Sequence, residues 1–202
     1  MHRHDADARL NCQCGTVKGL VTDASPRTVN RVVCYCDDCQ AFARFLGRPD
    51  LLDQAGGSDI IQIAASHLTI HTGKHNIRGV RLSDAGAYRW YACCCNTPLG
   101  NMANMTTPAL GIHSAAFREP EQNLDLLFGQ PLGGIRGEYA IGDAPPGSSG
   151  VPVPLMLRAV PKVLMWKVRG KGSPNPFVSQ TSKEILFPVE TLAKSDREAL
   201  GL

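Results

Sequence analysis

Three thiols fall within six residues at Cys34, Cys36 and Cys39, a Cys-x-Cys-x-x-Cys spacing. Thiolates crowded this closely repel one another unless a soft cation holds them, and Zn²⁺ with tetrahedral sulfur ligands is the commonest such cation. The other five cysteines are also bunched, as Cys12 and Cys14 and as Cys93, Cys94 and Cys95. Eight thiols have capacity for two metal ions. A structural site takes four protein ligands and closes, whereas a catalytic site keeps three and leaves one position for water or substrate. A pair from the first cluster and a pair from the third would close one site. That leaves Cys34, Cys36 and Cys39 as a three-thiolate site with room. In the competing arrangement Cys93 or Cys94 fills the fourth position at the Cys34 cluster, and both sites are closed.

The elements that must position these thiols are short strands. Residues 9–22 read as extended chain, with Cys12 and Cys14 on one side and Gly15 permitting a tight turn. Residues 28–33 alternate and are β-branched, delivering the chain to Cys34. Residues 40–46 have helical composition and stop at Gly47, with Phe42, Phe45 and Leu46 as core. Residues 59–64, 67–72, 79–83 and 87–92 predict an antiparallel series that ends on the third cluster, where Asn96 and Pro98 mark a turn. Residues 110–117 and 124–128 read as further strands and residues 144–150 as a flexible connection. Beyond it, residues 155–169 predict a helix kinked at Pro161 and residues 188–200 a second. The basic stretch 170–176 reads as a solvated linker. The expected class is mainly β, with a short helix after the Cys34 cluster and a partly helical C-terminal extension.

Composition narrows the functional classes. With 202 residues, 43 % apolar and 19 % charged, the chain is expected to be a soluble globular protein. A net charge of +3 falls short of the basic stripe of a nucleic-acid binder, so no nucleic acid is expected as partner. The longest apolar run, residues 151–168, is broken by Pro152, Pro154, Arg158, Pro161, Lys162 and Lys167 and is too polar to span a bilayer. No membrane partner is expected. Residues 1–7 show no apolar leader, which makes a cytoplasmic location the default. In a reducing compartment eight bunched cysteines fit metal binding better than four disulfides.

Taken together, Cys-x-Cys-Gly-x-Val near the start, Cys-x-Cys-x-x-Cys-Gln after one strand, and Cys-Asn-Thr-Pro-Leu after a sheet resemble the glutathione-dependent formaldehyde-activating enzyme family, which includes centromere protein V. The resemblance covers roughly residues 8–101. It implies a β-tent of small antiparallel sheets, taken as the zinc-binding domain over residues 8–117; residues 118–202, which the motifs do not cover, are expected to form an extension packed on it. It implies two zinc ions: a structural one on Cys12, Cys14 and two thiols of the third cluster, and an exchangeable one on Cys34, Cys36 and Cys39. There glutathione meets formaldehyde to give S-(hydroxymethyl)glutathione. Two departures stand out. The family usually has His where this chain has Tyr35, and its third motif is usually Cys-x-x-Cys-Gly-Thr-Pro, which aligns Cys95 but puts Ala92 at the first ligand. The Cys-Cys-Asn-Thr-Pro run, which looks like an uncharacterised branch of the family, assigns Cys94 beside Cys95. Strand alternation would favour Cys93.

The open site has a chemistry of its own. Three thiolates on Zn²⁺ leave a net charge of about −1, a weak Lewis acid that still binds and ionises an incoming thiol. A bound thiolate beside a small aldehyde gains proximity and orientation. The expected activity is that of a carbon–sulfur lyase acting on a small thiol such as glutathione, with Cys34, Cys36 and Cys39 at its centre; a non-catalytic, zinc-stabilised binding module is the alternative. Tyr35, Asp37, Asp38 and Arg44 read as ordinary knuckle residues. His67, His71 and His75 recur at helical spacing in a strand-like stretch, and with His113 they read as ordinary polar residues.

Overall fold

The computed structural model describes residues 6–202; residues 1–5, which carry most of the stretch read above for a leader, lie outside the described residues. Along the chain the strands are β1 (Ala6–Asn11), β2 (Lys18–Ala24), β3 (Asn30–Cys34), β4 (Ser58–Ala64), β5 (Leu68–Thr72) and β6 (Ile77–Arg81). Then come β7 (Tyr88–Ala92), β8 (Thr97–Met102), β9 (Ala109–His113), β10 (Gly134–Ile135) and β11 (Val189–Thr191). The helices are α1 (Asp37–Phe45), α2 (Leu124–Phe128), α3 (Val153–Val168) and α4 (Lys194–Ala199). The fold is mainly β, as the alternation predicts.

Two sheets form, one in the order β1-β2-β5 and one of eight strands in the order β10-β3-β4-β9-β8-β7-β6-β11. Every pairing is antiparallel except at the two outer edges of the larger sheet, where β10 joins β3 and β11 joins β6 in parallel. Both edge strands come from the C-terminal extension, which caps edges that would otherwise offer unpaired N–H and C=O groups. The extension also fills the core. Trp90 of β7 is fully buried and stacks on Phe177 at 4.7 Å between ring centres, with Phe187 edge-on at 6.1 Å. Arg31 of β3 holds Asp59 through Nε and Nη2 and, through Nη1, donates to Asp125 Oδ1 at 2.6 Å and to the Gly129 carbonyl at 2.9 Å. That triad ties α2 to the sheet, because any packing that left the buried guanidinium unpaired would be heavily penalised.

Strand alternation gives the large sheet two different faces. Ile61, Ile63, Leu110, Ile112, Leu99 and Trp90 join Leu10, Val21, Leu68 and Ile70 of the smaller sheet in one core. The opposite face carries Asn30, Val32 and Cys34 of β3, Ile60 and Gln62 of β4, Gly111 of β9 and Arg89 of β7, and these line a cleft. α1 covers one part of that face and α3 another: Cys39 and Leu155 line the same cleft.

Several local expectations are corrected. Residues 12–14 form a turn after β1 and not a strand. Residues 124–128 are helix: the Asn123 side chain accepts the N–H groups of Asp125 and Leu126, an N-cap that outweighs the strand-like run of leucines. Residues 188–200 divide into β11 and α4, since Val189–Thr191 finds a sheet edge. The stretch 170–176 is not a solvated linker throughout, because Asn175 is 7 % exposed and donates to Met102 Sδ at 3.3 Å. α3 includes Pro161, as expected.

Candidate metal centres

Two turns bring the first and third cysteine clusters together. Between β1 and β2 the chain reverses at Gly15, whose φ of +77° is a left-handed conformation that glycine adopts at little cost. Between β7 and β8 it reverses through residues 93–96, with Asn96 at φ +52°. The Sγ atoms of Cys12, Cys14, Cys94 and Cys95 all lie within 4.8 Å of one another. Within this set Cys12 and Cys14 stand 3.6 Å apart, Cys12–Cys94 and Cys94–Cys95 each 3.9 Å, and Cys14–Cys94 3.3 Å. A tetrahedral ion with metal–sulfur bonds of about 2.3 Å sets its sulfurs about 3.8 Å apart. The four sulfurs therefore fit one metal ion.

The surroundings of this set pull its thiols in opposite directions. The Val17 N–H donates to Cys12 Sγ at 3.2 Å, Thr97 Oγ1 lies 3.1 Å from Cys95 Sγ, and Thr16 Oγ1 lies 3.2 Å from Cys14 Sγ. The Thr16 hydroxyl holds the Cys14 thiol down to about 6, while burial pushes the Cys12 thiol up. Burial and the neighbouring sulfur of Cys14 push Cys94 up as well. Four thiols so placed cannot all ionise without a cation between them. Cys93 belongs to neither sulfur group among the described residues; it is exposed, and its N–H is spent on the Asn76 carbonyl at 2.8 Å.

The second set stands where β3 meets α1. Cys34 is the last residue of β3, Cys36 is the N-cap of α1 and Cys39 lies in its first turn. Their sulfurs are likewise within 4.8 Å of one another, with Cys34 and Cys36 at 3.3 Å. The N-cap side chain makes no capping hydrogen bond, and the helix dipole favours negative charge on Cys36 and Cys39. Without a cation the thiols hold their protons: Cys34 and Cys39 are pushed up to about 11 and Cys36 to about 12, by contact with their sulfur neighbours and by burial.

Sequence reasoning missed the residue that completes this set's electrostatics. Arg89 faces away from the Trp90 core by strand alternation and is 5 % exposed. Its Nη1 lies 3.9 Å from Cys39 Sγ, its Nη2 donates to Asp38 Oδ2 at 2.9 Å, and its guanidinium stands over the Phe42 ring at 5.6 Å. The signal was an arginine in the middle of an otherwise apolar strand. Cys34, Cys39 and Arg89 open together onto the cleft, about 350 Å³ in volume, with Asn30, Gln62, Asn101 and Leu155 among its walls. A Cβ at Gly111 would come within 2.7 Å of Asn101 Oδ1, so the bare backbone there gives the amide its place.

The remaining candidates stand apart. Tyr35 donates from its hydroxyl to Asp53 Oδ2 at 3.1 Å, and Arg44 donates to the Leu200 carbonyl at 2.6 Å. No histidine joins a sulfur group among the described residues. His67 is buried, with Nδ1 3.8 Å from Asp23. His113 accepts the Ala115 N–H at Nδ1, 3.1 Å away, which puts its proton on Nε2, 3.2 Å from the Leu51 carbonyl. With both nitrogens engaged, burial pulls its imidazole down to about 4. An unfolded imidazole titrates near 6.5, so between those values the unfolded chain binds more protons and stability drops as the pH is lowered. The loss expected from this group is about 2 kcal/mol between pH 7 and pH 5. His113→Gln should flatten that part of the slope, measured by urea unfolding at both pH values with metal content held equal.

These features define a mainly β protein with two cysteine clusters that can hold metal ions. The chain belongs to the DUF6151 family, a family of unknown function, which it matches over residues 6–119. Both sulfur groups lie inside that span. Among solved structures, a crystal structure of a Rhodobacter sphaeroides protein from structural genomics is 17 % identical, covers 57 % of this chain and 90 % of its own, and has a TM-score of 0.41. No curated protein matches the chain.

Proposed function

We propose that the protein holds two zinc ions, one structural on Cys12, Cys14, Cys94 and Cys95 and one exchangeable on Cys34, Cys36 and Cys39, and that the second centre captures a small thiol such as glutathione. The reading rests on one observation, the unequal ligand count of the two sulfur groups. Cys94 lies in the group of four and Cys93 in neither, which supports an open position at the group of three. Zinc held by three thiolates supplies a position at which a fourth, incoming thiol ionises.

The chain's own residues do the rest. Arg89 offsets the excess negative charge beside Cys39, and the cleft admits the thiol from the side of Cys34 and Cys39. Addition to formaldehyde then forms one carbon–sulfur bond as the carbonyl π bond and the S–H bond break; the thiol proton ends on the former carbonyl oxygen, giving an S-hydroxymethyl hemithioacetal without net redox change. That is carbon–sulfur lyase chemistry of the kind implied by the resemblance to the glutathione-dependent formaldehyde-activating enzymes.

Metal content and exchange test this reading. Two zinc ions per chain are expected, of which mild chelation or excess glutathione removes one while the other stays. Two ions that resist equally would sink the open-site reading. If one exchanges but thiol and formaldehyde combine no faster than in buffer, as followed by NMR, the protein is a zinc-stabilised thiol-binding module and not a lyase.

A further inference from the structure

We propose that the outward face of α3 docks the protein onto an anionic lipid surface. α3 is held on the body in one rotation: Leu155 and Trp166 are buried beneath it, Arg158 donates to the Pro26 carbonyl at 2.6 Å, and Lys162 to the Val29 carbonyl at 2.5 Å. That rotation turns Val153, Leu157, Val160, Leu164 and Val168 outward. Their spacing of four, three, four and four residues places them on one stripe of the helix. They are 61, 72, 58, 59 and 80 % exposed, and Met156 and Met165 flank them at 45 and 47 %. Single exposed aliphatics are ordinary, but a continuous stripe along a whole helix marks a contact surface.

Charge selects the occupant. From Asp143 to Glu184 the chain contains no acidic residue between those two, and it carries six basic ones: Arg158, Lys162, Lys167, Arg169, Lys171 and Lys183. The rest of the chain holds fifteen of the twenty-one basic residues against all eighteen acidic ones, a net charge of −3. The overall +3 conceals this segregation, and the broken apolar run that argued against a bilayer span does not bear on a helix lying along a surface. With Arg158 and Lys162 tied to backbone carbonyls, Lys167, Arg169 and Lys171 stay exposed where the stripe ends.

A second copy placed face to face would set this basic helix against itself with no carboxylate on either side to answer it. An anionic bilayer surface answers both features at once, taking the aliphatic stripe into the headgroup boundary and the lysines and arginines against lipid charge. Sixteen residues make a helix about 24 Å long, shorter than the roughly 30 Å of a hydrocarbon core, so it lies along the surface. No helix among the described residues is long and apolar enough to cross a membrane.

The test is co-sedimentation of the full chain with lipid vesicles. Binding is expected to phosphatidylcholine vesicles carrying about 30 % phosphatidylglycerol, at least about tenfold weaker to phosphatidylcholine alone, and weaker as salt rises. The exposed double variant Leu157→Ser, Leu164→Ser should lose at least about tenfold in binding with circular dichroism and metal content unchanged. Three results would each overturn the proposal. One is no sedimentation with the anionic vesicles; another is undiminished binding by the double variant. The third is a dimer, seen by light scattering, that the same variant dissociates, since the stripe would then belong to a second copy.

Discussion

Cys14→Ser is expected to lower the melting temperature by about 10–20 °C or prevent folding, whereas Cys36→Ser melts within about 3 °C of the parent and lacks one of its two metal ions. The difference follows from what each sulfur group ties together. Cys12 and Cys14 sit on the turn between β1 and β2 of the smaller sheet, Cys94 and Cys95 on the turn between β7 and β8 of the larger one. Cys14 and Cys94 are 80 residues apart in sequence and 3.3 Å apart at sulfur. An ion there would cross-link two sheets and close a long loop. Cys34 and Cys39 are joined by a few residues of one β-to-α junction that α1 and β3 already fix. On loop-closure entropy alone the long closure outweighs the short one by about 2.5 kcal/mol, and the metal–sulfur bonds themselves add to the folding free energy. Thermal melts of both variants, with bound metal counted by mass spectrometry under native conditions, check this. Equal destabilisation would show that the two groups share one structural role.

The cysteine groups were legible because metal ligands must be close in space, and a turn at each cluster keeps them close in sequence. Gly15, Asn96 and Pro98 announced those turns. The short strands were legible for a related reason where one face is buried: in residues 68–72, buried Leu68 and Ile70 alternate with exposed Thr69 and His71. What escaped depends on contacts between distant segments. Val189–Thr191 is strand only because the edge of β6 is available to it, and nothing within residues 188–200 encodes that edge. Asn123 did announce α2, as a helix N-cap before Leu124, but the apolar run behind it was read by composition. Asn175 looked solvated within a basic, proline-rich stretch, yet Phe177 beside it carries that stretch into the Trp90 stack. The choice between Cys93 and Cys94 turned on the assumption of continued strand alternation. The chain leaves β7 at Ala92 and enters a turn, where alternation no longer applies, and the turn aims Cys94 at Cys12 and Cys14.

Arg89→Met is expected to weaken metal retention at Cys34, Cys36 and Cys39 by about 100-fold, and Arg89→Lys by about tenfold, with the four-sulfur group unaffected in both. Three thiolates around a dication would carry about one excess negative charge at the half-buried wall of the cleft. Arg89 is the cation that meets it: 5 % exposed, 3.9 Å from Cys39 Sγ, and held in place by Asp38. Proximity to Cys39 favours the charged guanidinium against its own burial, so the attraction works in both directions. Asp38 subtracts little from the balance because its side chain is 42 % exposed and solvated. Removing the guanidinium leaves the thiolates uncompensated, and protonation of one sulfur competes with the metal. Lysine restores the charge but, as a single ammonium, cannot serve Cys39 and Asp38 in the forked geometry of arginine. Titration against a chromophoric chelator reads both groups in one experiment, with the Cys12, Cys14, Cys94 and Cys95 ion as internal reference. Parent-like retention in Arg89→Met would remove Arg89 from the site's electrostatics. Loss of both ions together would mean that Arg89 serves the fold: its contact with the Phe42 ring would then be what matters, and the charge beside Cys39 would not.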